Sequence, residues 1–168
     1  MQIVNLAEGK KWVDEHALSD LNPKFLDKEF QYKAIYPIPA DSGIKTNLAR
    51  RILSYIPPNK KGCFWINGYG IWPSSQNMEL FDAYRRSLGE HRPLHEAPYH
   101  LFSSLTEDLK ILECLMDLSL YFVWDAILVE SPLEVIINIS HDEMFTIYSR
   151  SKERFVLLEK FFENKANA

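Results

Sequence analysis

Apolar positions change period several times along this chain, and the changes mark out its elements. From about Leu6 to Leu18, Trp12, Val13 and His16 or Ala17 share one side of a helical wheel, which predicts a short helix. Leu21-Asn22-Pro23 interrupts it, and Phe25, Leu26 and Phe30 then anchor an irregular segment. Gln31 to Tyr36 alternates and predicts a strand that Pro37 and Pro39 end. After a loop over Ala40 to Lys45, Thr46 caps a helix carrying Leu48, Ile52, Leu53 and Ile56, which Pro57-Pro58 stops. Cys63 to Ile66 is an unbroken apolar run, the mark of a short buried strand.

Beyond that strand, Ser74 or Ser75 caps a helix with Met78, Phe81, Tyr84 and Leu88 on one face and Gly89 as its stop. Asn67-Gly68 offers an alternative, a tight hairpin with Tyr69 to Trp72 as the return strand. Glu90 to Phe102 reads as an ordered loop ending in a short strand at Tyr99–Phe102. Ser104 to Glu107 has capping-box spacing and opens a helix whose broad apolar surface (Leu109, Ile111, Leu112, Leu115, Met116) predicts cover on most sides. Val123 to Val129 and Glu134 to Ser140 predict an antiparallel hairpin, Met144 to Tyr148 a third strand, and Ser151 onward a helix packing Phe155, Leu158 and Phe162. Asn164 to Ala168 reads as a fraying tail.

The order of elements predicts one globular domain over residues 1–168, of the α/β or α+β class. Helices pack on a mixed sheet, parallel in the first half and antiparallel in the second. The parallel half rests on the strand-helix-strand run from Gln31 to Ile66, which has the length of a crossover unit.

Composition narrows the function classes. No apolar run approaches the roughly 18 to 20 residues of a membrane span, and the N-terminal residues lack the basic-then-apolar pattern of a signal peptide, so a cytoplasmic protein is expected. The two cysteines, Cys63 and Cys114, sit among apolar residues and read as reduced core groups. The net charge of −4 is unevenly spread. Lys45 to Arg92 carries eight Lys or Arg against three acids, +5, and Pro93 to Met144 one Lys against ten acids, −9. This pattern argues against nucleic-acid binding and for a basic protein partner.

Candidate chemistry is sparse. Asp41 to Thr46 partly matches a phosphate loop, but Ile38 stands where its first glycine belongs and Ile44 separates Gly43 from Lys45. His91, His95 and His100 are close in sequence, yet Pro93 breaks the helix that would align the first two, so no metal or cofactor is expected. His141, Asp142 and Glu143 are candidate acid–base groups at a strand end, but neighbours on a strand face opposite ways and a polar turn is the favoured reading. Ser74 and Ser75 lack the glycine frame of a nucleophile elbow.

The strongest binding candidates are Asn67, Gly68, Tyr69, Gly70, Trp72, Ser74 and Ser75, with Trp65 as core beneath them. If the crossover unit forms, this loop and the Pro37–Lys45 loop lie side by side at the carboxyl ends of parallel strands, where open α/β sheets bind ligands. Phe64 to Ser75, Glu96 to Phe102 and Trp124-Asp125-Ala126 together resemble a set of small uncharacterised bacterial proteins. That resemblance implies a bacterial cytoplasmic setting and no catalytic residues.

The function expected is non-catalytic binding of another protein, of an immunity, antitoxin-like or regulatory kind. The alternatives are a small hydrolase using His141 with a nearby carboxylate, or a small-ligand-binding domain.

Overall fold

In the computed structural model, which describes residues 1–16, 21–71 and 78–163 without the side chains of Leu105 and Glu163, one sheet collects strands from the whole described chain. In order, the elements are β1 (Gln2–Val4), α1 (Leu6–His16), α2 (Pro23–Glu29), β2 (Tyr32–Pro37), α3 (Ser42–Tyr55), β3 (Lys61–Gly68) and α4 (Met78–Ser87). They continue with β4 (Tyr99–Phe102), α5 (Leu105–Phe122), β5 (Asp125–Ser131), β6 (Val135–Ser140), β7 (Met144–Ser149) and α6 (Lys152–Glu163). The seven strands lie in the order β1-β4-β3-β5-β6-β7-β2, and every pairing is antiparallel.

The mixed fold of helices and strands is as expected, and of the α+β kind, but the parallel first half is not there. Both edges of β3 are taken by antiparallel strands, β4 on one side and β5 on the other. The strand β2 is instead held at the far edge by β7. Four successive antiparallel pairings leave β2 and β3 pointing the same way with three strands between them. At about 4.8 Å per strand, their exits are roughly 19 Å apart. The loops after them share one end of the sheet but do not lie side by side.

Period-2 alternation divides the strand residues between two apolar layers. Phe64, Ile66, Phe102, Ala126, Leu128, Ile137 and Ile147 join a core with Ile52 and Leu53 of α3, Phe81 of α4, Leu112 and Leu115 of α5 and Leu158 of α6. Cys63, Tyr99, Ile127, Val129, Ile136 and Tyr148 face the other way, against Val13 of α1 and Leu26 of α2. Trp65, expected in the core, is half-buried on this second side and stacks on Tyr99 at 4.9 Å between ring centroids. Cys63 and Cys114 are both free, and burial pushes the Cys63 thiol up.

Local chemistry explains where several boundaries differ from expectation. Asn22-Pro23 opens a helix, because the Asn22 side chain accepts from Lys24 N–H at 2.9 Å and Pro23 takes the first helical turn. The N-cap of α3 is Asp41, whose carboxylate accepts from Ile44 N–H at 3.0 Å, so that helix starts before Thr46. Ser104 makes no side-chain cap; its hydroxyl and that of Thr106 are turned to the Pro58 carbonyl. Val123, with φ 54°, is the left-handed cap of α5, so the strand begins at Asp125. The strand β1 was not expected; three residues give too short a pattern to read. No helix among the described residues is long and apolar enough to cross a membrane.

Candidate functional site

One end of the sheet gathers the exits of β2, β3 and β6 and the starts of β5 and β7, as the pairing directions require. Ile127 and Val129 of β5 face the α1 and α2 side, so Asp125, two residues before Ile127, stands on that side at the strand's end. Opposite it, β3 bulges between Ile66 and Gly68 to bring Gly68 into register with Asp125. A Cβ at position 68 would stand 2.6 Å from Asp125 Oδ2, so this glycine makes room for the carboxylate. The Asn67-Gly68 hairpin does not form: Gly68 ends β3, and Tyr69, Gly70 and Ile71 are not in a strand. Gly70 has φ 67°, which a residue with a side chain adopts only under strain. The expected sites Trp72, Ser74 and Ser75 lie outside the described residues.

The β6–β7 turn supplies the partner of Asp125. His141 N–H donates to Asp125 Oδ1 at 2.7 Å, and His141 Nδ1 stands 2.9 Å from each oxygen of the same carboxylate. An ionised carboxylate only accepts, so Nδ1 carries the proton and the imidazole is held in one orientation. His141 Nε2 lies 3.7 Å from Asp142 Oδ1. His141 and Asp142 occupy a polar turn, as expected, and their side chains come near each other rather than pointing to opposite faces. Glu143 closes the turn at φ 60°, and its carbonyl accepts from Ile38 N–H at 2.8 Å, which ties the exit of β2 to the turn. The Ser140 hydroxyl is turned to Asp142 Oδ2 at 3.3 Å.

Exposure differs sharply across this end. Asp125 is 24 % exposed and His141 33 %, whereas Asp142 is 75 % exposed. Asn67, Tyr69, Ile71, Asp41, Asp142 and Glu143 are all exposed. Tyr69 rests edge-on against Trp124, at 6.5 Å between centroids and an angle of 72°. Trp124 is itself wholly buried between Phe81 and Phe122. An aromatic ring is thus seated on a buried footing at the same end of the sheet as a turn carrying two exposed acids.

The remaining candidates are placed elsewhere. His91 and His95 are exposed, while His100 is buried in β4 against the rings of Phe64 and Phe81. Burial, with Arg85 adding to it, pushes the His100 imidazole down to about 4, so it is neutral at physiological pH. Among the described residues, no group of three His, Cys, Asp or Glu side chains is placed to hold a metal ion.

Asp125 is the residue sequence reasoning missed. Its signal lay in the expected hairpin: equal arms about the Pro132-Leu133 turn set Ala126 opposite Ile139, and so Asp125 beside Ser140 and His141. No protein-family model, curated protein or solved structure matches this chain.

Proposed function

We propose that this protein acts by binding another protein, without catalysis, through the sheet end that carries Tyr69, His141, Asp142 and Glu143. The observation that carries this reading is that one sheet end holds both an exposed Tyr69, seated on Trp124, and an acidic turn that Asp125 holds in place. Tyrosine is a favoured interface anchor because a rigid ring gives contact area at little entropic cost. Asp142 and Glu143 are exposed at the same sheet end, so the partner surface is basic. The bonds of Asp125 to both the backbone and the ring of His141 fit a turn brace.

Recovery of bound protein from the cells that make it tests this reading. The wild type should hold a discrete partner at low salt, and Tyr69→Ala should weaken it by about tenfold or more. Asp142→Asn with Glu143→Gln should weaken it chiefly at low ionic strength, since salt screens such exposed charges. Retention unchanged by all three substitutions would remove this surface from consideration.

A second reading is favoured by one observation, the fixed orientation of the His141 ring on Asp125. That geometry also suits an imidazole acting as a general base. Under that reading His141→Gln abolishes turnover while partner capture is irrelevant; under the first, His141→Gln lowers capture only as far as the turn loosens.

A further inference from the structure

The structure carries a buried arginine that no ion pair or turn explains. The residues of α4 that pack inward are Phe81 and Arg85, and Arg85 is 1 % exposed with its guanidinium 5.7 Å from the Phe81 ring. Its Nη2 donates to the Ala97 carbonyl at 2.8 Å, but Nε and Nη1 are buried without a hydrogen-bond partner. A buried cation with two unpaired donor groups is costly unless something compensates it.

Of the two acids whose charge reaches it, Glu90 and Asp82, Glu90 is committed elsewhere. Glu90 Oε1 accepts from Arg92 Nε at 2.9 Å and Arg92 N–H at 2.8 Å, and Glu90 Oε2 from Arg92 Nη2 at 2.5 Å. Those bonds hold the Glu90 carboxyl well below the usual carboxylate range. Arg92 is in turn tied to the Ile3 carbonyl at 3.0 Å, so this pair is anchored to β1.

Between these groups lies a cavity of about 140 Å³, lined by Arg85, Arg86, Arg92, His91, Glu90 and Asp82 among others. That is well above the roughly 10–15 Å³ one water needs. Three guanidinium groups against two carboxylates leave the lining at +1 before His91 is counted. The last carbonyls of α4 do not oppose an anion strongly, because Arg85 and Arg86 carbonyls accept from Leu88, Gly89 and Glu90 N–H at 3.0 Å.

We propose that this cavity is a binding site for a phosphate-type oxyanion, free or as the phosphomonoester of a small molecule, with Arg85 as its principal ligand. A guanidinium offers donors in a fork that matches two oxygens of such a group. Arg86 and Arg92 at the rim would admit the anion from solvent. This site shares no lining residue with the sheet end proposed above for protein binding.

The test uses the full chain labelled with nitrogen-15. Inorganic phosphate is titrated against sodium chloride at matched ionic strength, with phosphoserine as a parallel arm. The expected result is a saturable shift of the Arg85 Nε–Hε resonance with phosphate and a rise in thermal midpoint that chloride does not give. Arg85→Met should abolish both, and Arg86→Gln should weaken binding several-fold. Saturation by phosphoserine but not phosphate, or the reverse, identifies which source the cavity takes. An Arg85 resonance that phosphate and phosphoserine leave unmoved, or moved only as chloride moves it, overturns the proposal. So does undiminished binding by Arg85→Met. Should that variant not fold, the wild-type resonance alone decides.

Discussion

Arg154→Met is expected to lower stability by about 3–5 kcal/mol, the usual consequence of removing one partner from a buried ion pair. Arg154 reaches from α6 to Glu130 of β5 and to Glu134, with Nη1 bonded to both carboxylates and Nη2 3.2 Å from Glu130 Oε2. Its guanidinium also lies 5.3 Å from the Tyr55 ring centroid, and the Arg154 carbonyl accepts from Tyr55 Oη at 2.9 Å. Glu130 is 1 % exposed, whereas Glu134 is 44 % exposed and contributes little.

Burial pushes the Glu130 carboxyl up, against the pull of Arg154. Removing Arg154 raises it further, so the folded variant binds a proton at pH values where the unfolded chain, near pKa 4.3, does not. Stability of the variant therefore falls as pH rises above about 4.3, and the defect should be smaller at pH 5 than at pH 7. Adding Glu130→Gln should restore much of the loss, because the uncompensated charge is gone. Urea unfolding at both pH values measures this, and a loss under about 1 kcal/mol at pH 7 would mean the pair is not buried as described.

The second large effect is expected at Trp124. Trp124→Ala should cost about 3–5 kcal/mol, since the indole is wholly buried and its loss leaves a cavity. Its contacts are specific: Phe81 meets it edge-on at 5.2 Å and Phe122 stacks on it at 5.2 Å. Tyr69 loses its footing at the same time, so the variant should also bind a partner less tightly. Trp124→Phe should recover part of the stability. Denaturant unfolding that shows less than about 1 kcal/mol lost would contradict this packing.

How much of this was legible in the sequence depends on whether the signal was local. Helix faces with Leu48, Ile52 and Leu53, or with Leu112, Leu115 and Met116, are written at three-to-four spacing and came out as read. The β5–β6–β7 meander followed from β-branched runs with short links. Strand neighbours across the sheet were not local. Cys63 to Ile66 is apolar with both faces covered, Trp65 only partly, and such a run reads the same beside parallel or antiparallel partners. That ambiguity produced the incorrect parallel half.

The candidate site shows the same division. His141 and the Gly68-Tyr69-Gly70 loop stood out by residue type, and the structure brings both to Asp125. Their meeting depends on the register of β3 on β5 and of β5 on β6, a sum of pairings that no single stretch encodes. The polar turn expected at His141 to Glu143 forms, with Glu143 in the left-handed region, and it lets the side chains of His141 and Asp142 approach. Arg85 was invisible for another reason: an arginine on a helix is taken as exposed, and only packing reveals otherwise.

The most direct measurement places a photo-crosslinking side chain at position 69, at position 142, and at Lys61, which is exposed at the start of β3 on the opposite end of the sheet. Each variant is irradiated in the cells that make the protein, at its native level. Binding through the Tyr69 and Asp142 end predicts one discrete heavier adduct from positions 69 and 142 and none from position 61. No adduct at 69 and 142, or the same adducts from all three positions, would contradict it.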